Sequence, residues 1–203
     1  MIRNMLIAAN IVALAIVPAK TETGGYNLGD KVDNFKLRGV QGKTISLSDY
    51  NDEKGVIVIF TCNHCPFSKA YENRISELHN KYSPKGYPVV AINPNDAKRV
   101  PEDSFENMVK RSREKKFTFP YLHDESQSTA RKFGASRTPH VFVLEREDDA
   151  FTVMYIGAID DNVDDPAAVK KHYLENAVNE LLDGKEVSNN FTKAIGCTIK
   201  WKS

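Results

Sequence analysis

The chain has 203 residues, 41% hydrophobic and 27% charged, which is room for one domain of ordinary size with short extensions and excludes a disordered or fibrous protein. Lys plus Arg number 28 against 27 for Asp plus Glu, so no charge surplus draws phosphate backbones or anionic lipid, and nucleic acid is not an expected partner. Three cysteines are too few for a disulfide scaffold, but two of them stand three positions apart, a spacing that belongs to redox or metal chemistry.

Taken in order, residues 1–19 carry one charge, Arg3, then an apolar run from Met5 to Val17 and the small-residue end Val17-Pro18-Ala19. This is the anatomy of a cleaved signal peptide and predicts an exported protein, periplasmic or secreted, with no stable membrane insertion after cleavage. A polar leader follows over 20–31. The segments Phe35–Arg38 and Thr44–Leu47 alternate apolar and polar residues around Gly39 to Gly42 and predict a β-hairpin. Val56–Phe60 is a continuous β-branched run, as expected of a strand covered on both faces. Pro66 suits a first helical turn, after which Phe67, Tyr71, Ile75, Leu78 and Tyr82 recur on one face. Val89–Ile92 predicts a second buried strand, and the stretch after Pro101, with Phe105, Met108 and Val109 on one side, a second helix. Phe119–Leu122 reads as a short strand, Ser126–Phe133 as a short helix closed by Gly134, and Val141–Leu144 with Val153–Ile156 as a strand pair. Asp165 and Pro166 form an N-cap and first turn for a last helix ending at Gly184. The domain is therefore expected over 32–184, with 185–203 as a C-terminal tail.

The cysteine pair falls in Phe60-Thr61-Cys62-Asn63-His64-Cys65-Pro66, between a buried strand and a helix start. Unpaired N–H groups and the helix dipole favour an anion there, and only a thiolate attacks a disulfide. The expected chemistry is thiol–disulfide exchange, Cys62 as nucleophile and Cys65 as resolving residue, with His64 adding positive charge when protonated. A structural zinc site needs two further ligands, and neither a second C-x-x-C nor an H-x₃₋₅-H is present; no metal and no organic cofactor are expected.

These residues, with Ala91-Ile92-Asn93-Pro94-Asn95-Asp96, Pro101-Glu102-Asp103-Ser104-Phe105, Phe119-Pro120-Tyr121-Leu122, Gly134-Ala135-Ser136-Arg137-Thr138-Pro139 and Gly196-Cys197-Thr198-Ile199-Lys200-Trp201, resemble thioredoxin-like proteins of the redoxin (AhpC/TSA-type) superfamily over 32–203. The resemblance implies an α/β thioredoxin fold: a central mixed sheet flanked by helices, the cysteine pair at the first helix start, and a cis-proline facing it. Thr138-Pro139 matches that proline and its substrate-binding loop; protein or small-molecule thiols and disulfides are the partners implied. Two departures stand out. Val56 occupies the place of the buried acid of thioredoxins, leaving the proton acceptor for Cys65 unassigned, and Thr61 replaces their Trp. A peroxiredoxin-like peroxidase is the alternative, with Arg137 as its arginine, although Cys62 fills the place of the peroxide-orienting Thr. A copper-binding chaperone, with His140 or His123 completing a soft-ligand site, is a further alternative. Cys197 is either a spare thiol or an auxiliary one able to take a disulfide from Cys62 or Cys65. The acidic run Asp160–Asp165 lacks the Gly and Glu of a calcium loop, and the basic stretch Lys110–Lys116 reads as a solvated helix face.

Overall fold

The computed structural model describes residues 24–203, so the expected signal peptide over 1–19 lies outside the described residues. Ten strands are described: β1 Lys31–Val32, β2 Lys36–Gly39, β3 Thr44–Ser46, β4 Gly55–Phe60, β5 Val89–Asn93, β6 Tyr121–His123, β7 Arg137–Thr138, β8 His140–Glu147, β9 Ala150–Gly157 and β10 Cys197–Thr198. Four α-helices accompany them: α1 Pro66–Tyr82, α2 Phe105–Glu114, α3 Ser128–Phe133 and α4 Tyr173–Leu182. Eight strands form one mixed sheet in the order β1-β9-β8-β4-β5-β6-β2-β3. Strands β4, β5 and β6 run parallel, and β8 is antiparallel to β4.

Strand β4 is central because it has no face for water: all six of its residues are buried. Side chains alternate across a strand, so Ile57 and Ile59 enter one core with Tyr71, Ile75 and Leu78 of α1 and Leu174 and Val178 of α4. Val56, Val58 and Phe60 enter the other, with Phe133 of α3, Phe142, Leu144 and Ile199. Helices on both faces of a parallel centre are what its continuous apolar pattern requires. The predicted hairpin is β2–β3, and it extends the sheet beyond β6.

The last helix starts later than expected. Asp165 does cap, its carboxylate accepting from Ala167 N at 2.9 Å, but only a 3₁₀ turn over Pro166–Ala168 follows. Asp161 Oδ1 then accepts from the amides of Lys170 and Lys171 at 2.9 and 3.0 Å, which holds that stretch outside the helix, and α4 begins at Tyr173. The basic stretch is exposed at Lys110, Arg113, Lys115 and Lys116, as expected of a solvated face; Arg111 is the exception, half-buried and forked onto Glu72, its Nη2 donating to Oε2 at 2.9 Å, and so ties α2 to α1. Asp160 at the head of the acidic run is no loop carboxylate either. It accepts from Tyr71 Oη and from Arg74 Nη1, both at 2.6 Å.

The segment expected as a tail is bonded along its length. Thr192 N and Asn190 O pair with Ile156 on β9, β10 pairs antiparallel with β7, and Lys200 O accepts from Asp96 N at 2.9 Å. Trp201 lies under the Arg131 guanidinium, 4.5 Å from ring centre to carbon. Among the described residues no helix is long and apolar enough to cross a membrane.

Candidate active site

The loop from Thr61 to Cys65 leaves the end of β4 and enters α1, with Cys65 as N-cap and Pro66 at the first helical position, where a missing N–H costs nothing. Sequence spacing had the helix N-terminus favouring charge at Cys62; the structure puts the cap one step of the motif later, at Cys65. Both sulfurs are buried, Cys62 at 3% and Cys65 at 0% exposure. Across from them the Thr138–Pro139 peptide is cis. Thr138 Oγ1 lies 3.2 Å from Cys62 Sγ, and Thr138 O lies 3.2 Å from Cys65 Sγ, to which it is acceptor whenever Cys65 is protonated. The strand–loop–helix and the proline loop thus meet on one residue.

The two thiols share a proton. The Cys62 thiol beside it lowers Cys65 most; burial opposes this, while the Cys197 thiol and the backbone amides of Ser68 and Cys197 add to it, and Cys65 comes down to about 4. Cys62 is driven the other way, by holding the proton it shares with Cys65, by burial and by the negative charge of Asp103. The direction of the two shifts favours Cys65 over Cys62 as the ionised member of the reduced pair. An anion at an N-cap of a 17-residue helix is where backbone electrostatics favours it.

Asp103 is the residue sequence reasoning missed. It lies in the quoted stretch 101–105 but was given no role, since nothing local shows that it is fully buried beneath the motif loop. Its Oδ1 accepts from Asn63 N at 2.6 Å and His64 N at 3.2 Å, and its Oδ2 from His64 Nδ1 at 2.6 Å and Asn95 Nδ2 at 2.8 Å. Four donors on one carboxylate fix the loop as a rigid unit. Asn63 is braced further, donating to Glu102 O at 2.8 Å and accepting from Tyr121 Oη at 2.9 Å. His64 lies beside the pair, its Nδ1 3.5 Å from Cys62 Sγ.

The other predicted residues divide. Cys197 is brought to the site: it stands opposite Thr138 in the β7–β10 ladder, and burial and Cys65 together push its thiol up to about 11. Arg137 is engaged with the tail, its Nη1 donating to Gly196 O, next to Cys197, at 2.9 Å. His123 packs on Phe105 with ring centres 5.9 Å apart, and His140 on Phe142 at 4.7 Å. The one group of three metal-binding side chains found among the described residues joins Cys62, His64 and Asp103 and includes neither of these histidines. Neither His140 nor His123, the histidines anticipated for a soft-ligand site, is brought into a group with the cysteines among the described residues, and His140 Nδ1 instead accepts from Ser136 N at 3.4 Å. In the Cys62–His64–Asp103 cluster the imidazole nitrogen nearest the sulfur is already bonded to the carboxylate, so it reads as a brace.

Comparison with known proteins bears on the fold and the family. Solved structures place the chain in the thioredoxin-like class of α/β proteins: a thiol:disulfide interchange protein DsbE of Chlorobium tepidum superposes with TM-score 0.59 at 24% identity, over 77% of this chain and 98% of that one. The chain belongs to the AhpC/TSA family, whose model matches residues 28–150. An uncharacterised conserved protein of Geobacillus kaustophilus shares 38% identity and TM-score 0.80 over 87% of this chain and 93% of its own. A hypothetical protein of Sinorhizobium meliloti shares 33% identity at TM-score 0.80, over 89% and 97%. Among curated proteins, the thiol-disulfide oxidoreductase ResA of Oceanobacillus iheyensis is 25% identical over 126 residues, 60% of this chain and 62% of that protein, so the match spans about three fifths of that relative's length.

Proposed function

We propose that this protein is a thiol–disulfide oxidoreductase whose working couple is the Cys62–Cys65 pair, and that it oxidises partner dithiols. The observation that carries the reading is geometric: two buried cysteines at the start of α1, Cys65 as its N-cap, face the cis Thr138–Pro139 peptide, with one oxygen of Thr138 3.2 Å from each sulfur; the downward shift of the Cys65 thiol agrees with it. A thiol of low pKa is a good leaving group, and stabilising the reduced form raises the reduction potential.

In the oxidised form a partner thiolate attacks Cys62 Sγ, so that Cys65, the thiol of lower pKa, is the leaving group. The Cys62–Cys65 bond breaks, and Cys65 departs as a thiolate into the field of the helix N-terminus. A second partner thiolate then attacks the partner sulfur of the mixed disulfide and expels Cys62, which takes up a proton. Two partner thiols become one disulfide, two electrons remain on the pair, and one proton is released. In reverse, Cys62 must first give up its proton to attack a partner disulfide, after which Cys65 resolves the mixed disulfide; the upward shift of Cys62 disfavours this direction. The apolar segment 5–17 supports an exported setting, where such disulfides persist.

Redox titration of the purified protein, with Cys62→Ser and Cys65→Ser and with peroxide consumption and Cu(I) binding measured in parallel, tests this. A two-electron couple lost in both variants, without peroxide turnover, is expected. Rapid peroxide loss that requires either cysteine would assign a peroxidase instead, and tight stoichiometric Cu(I) binding with little exchange a chaperone.

A further inference from the structure

We propose that Cys197 is a third redox sulfur, which forms an alternative disulfide with Cys65 and carries exchange between solvent and the buried pair. This rests on the reading of Cys62–Cys65 as a redox couple.

The three cysteines form a series with Cys65 in the middle. Cys197 faces Thr138 in the β7–β10 ladder, the residue whose hydroxyl and carbonyl oxygens each lie 3.2 Å from one sulfur of the pair. Its thiol and its backbone amide both act on Cys65. This approach is built into the chain. Gly196 is pressed so closely onto the proline loop that a Cβ there would sit 2.2 Å from Thr138 O and 3.0 Å from Pro139 N. Arg137 Nη1 clamps Gly196 O at 2.9 Å, Ile199 N reaches Ser136 O at 3.2 Å, and Asn95 Oδ1 accepts from Lys200 N at 2.8 Å. Asn95 is the same residue that donates to Asp103, so the tail and the motif loop share one framework.

Accessibility gives the arrangement its use. Both sulfurs of the pair are buried, whereas Cys197 is partly exposed. Two residues before it Ile195 is 56% exposed, on the rim of a cleft of about 70 Å³ that also includes Tyr71, Pro139 and Ile159. A cleft lined by apolar residues together with Asp160 and Asp161, which Ile195 borders two residues before the partly exposed Cys197, disfavours a small anionic thiol and suits a protein dithiol. The transfer is isoelectronic: Cys197 gives up its proton and attacks as a thiolate at Cys65 of the Cys62–Cys65 disulfide, a Cys65–Cys197 bond forms, the Cys62–Cys65 bond breaks, and Cys62 takes up a proton. A partner thiolate then attacks Cys197 and expels Cys65, the best leaving group of the three, and a second partner thiolate attacks the partner sulfur of that mixed disulfide and releases Cys197, which takes up a proton.

Diamide oxidation of Cys62→Ser followed by mass-spectrometric mapping should give an intramolecular Cys65–Cys197 disulfide; two remaining free thiols, or intermolecular dimers alone, would overturn the proposal. Cys197→Ser should retain a titratable Cys62–Cys65 couple while its exchange with a reduced protein dithiol slows about tenfold or more, and an unchanged rate would overturn it. Gly196→Ala, which keeps all three sulfurs and lifts the tail from Thr138, should reproduce the slowing. Loss of the Cys62–Cys65 couple from the wild-type protein would defeat the underlying reading, whereas a normal couple without any Cys65–Cys197 bond defeats only the third sulfur.

Discussion

His64 Nδ1 stands between a carboxylate and a sulfur, 2.6 Å from Asp103 Oδ2 and 3.5 Å from Cys62 Sγ. Buried Asp103 therefore reaches the redox pair twice, through its charge, which helps to push Cys62 up, and through the loop it holds. Asp103→Asn removes the charge and keeps most of the shape. The reduced form gains, and the pair should become more oxidising by about 10–30 mV, 30 mV being roughly tenfold for a two-electron couple. Titration against a glutathione or dithiothreitol buffer measures the shift, and an unchanged or lower potential would remove Asp103 from the electrostatics of the pair.

Asp103→Ala is a different change, because it leaves the amides of Asn63 and His64 and the side-chain donors of His64 and Asn95 without their acceptor. Stranding buried donors of this kind costs about 2–4 kcal/mol. Urea unfolding at neutral pH should show this loss, with Asp103→Asn losing clearly less.

The pH dependence of the potential follows from where the proton sits. With Cys65 down at about 4 and Cys62 raised, the reduced pair binds one proton at neutral pH and two below about pH 4. The potential should then fall by about 30 mV per pH unit above that point and by about 59 mV below it. Thiolate absorbance gives an independent reading: one thiolate per reduced molecule should persist down to about pH 4, survive in Cys197→Ser and vanish in Cys65→Ser. The sign for stability agrees. A thiol depressed by the fold stabilises the reduced protein fully above its unfolded value and loses that contribution as pH falls toward 4.

His140 adds an acid-sensitive element of its own. Burial, helped by the charge of Arg137, brings it down to about 4, so the ring is neutral at pH 7. Its contribution is complete above the ordinary value of 6.5 and is lost as pH falls from there to about 4, roughly 3 kcal/mol in all. Measured on the oxidised protein, where Cys65 does not titrate, the stability of His140→Gln should be flatter across this window than that of the wild type.

Asp160 is a structural test outside the motif loop, although it lines the same cleft as Pro139 and Ile195. Arg74, which it pairs at 2.6 Å, also donates to the carbonyls of Asn162 and Val163 at 2.6 and 2.5 Å. Asp160→Ala leaves that guanidinium buried without its counter-charge and should cost about 3 kcal/mol, with the potential of the cysteine pair unmoved.

Local pattern carried much of the fold. The burial of β4, the helix from Pro66 to Tyr82 and the N-cap region of the motif each follow from residues next to one another in the sequence. What could not be read depends on distant partners. Asp103 bonds a histidine 39 positions away, and Glu72 and Arg111, equally far apart, look like two surface charges until α1 and α2 are packed together. The tail showed no periodicity because β10 is two residues long and is held by β7, a strand just as short. Asp165-Pro166 misled for the opposite reason: the cap signal is real, but Asp161 draws off the next amides.

The β7–β10 ladder also decides how any visitor can be recognised. The edge of β7 that faces β10 is already taken by Cys197 and Thr198, so an incoming polypeptide cannot lie there as an added strand. Under the proposed function, selection among visitors on that side falls to side-chain shape and greasiness around Ile195 and Pro139.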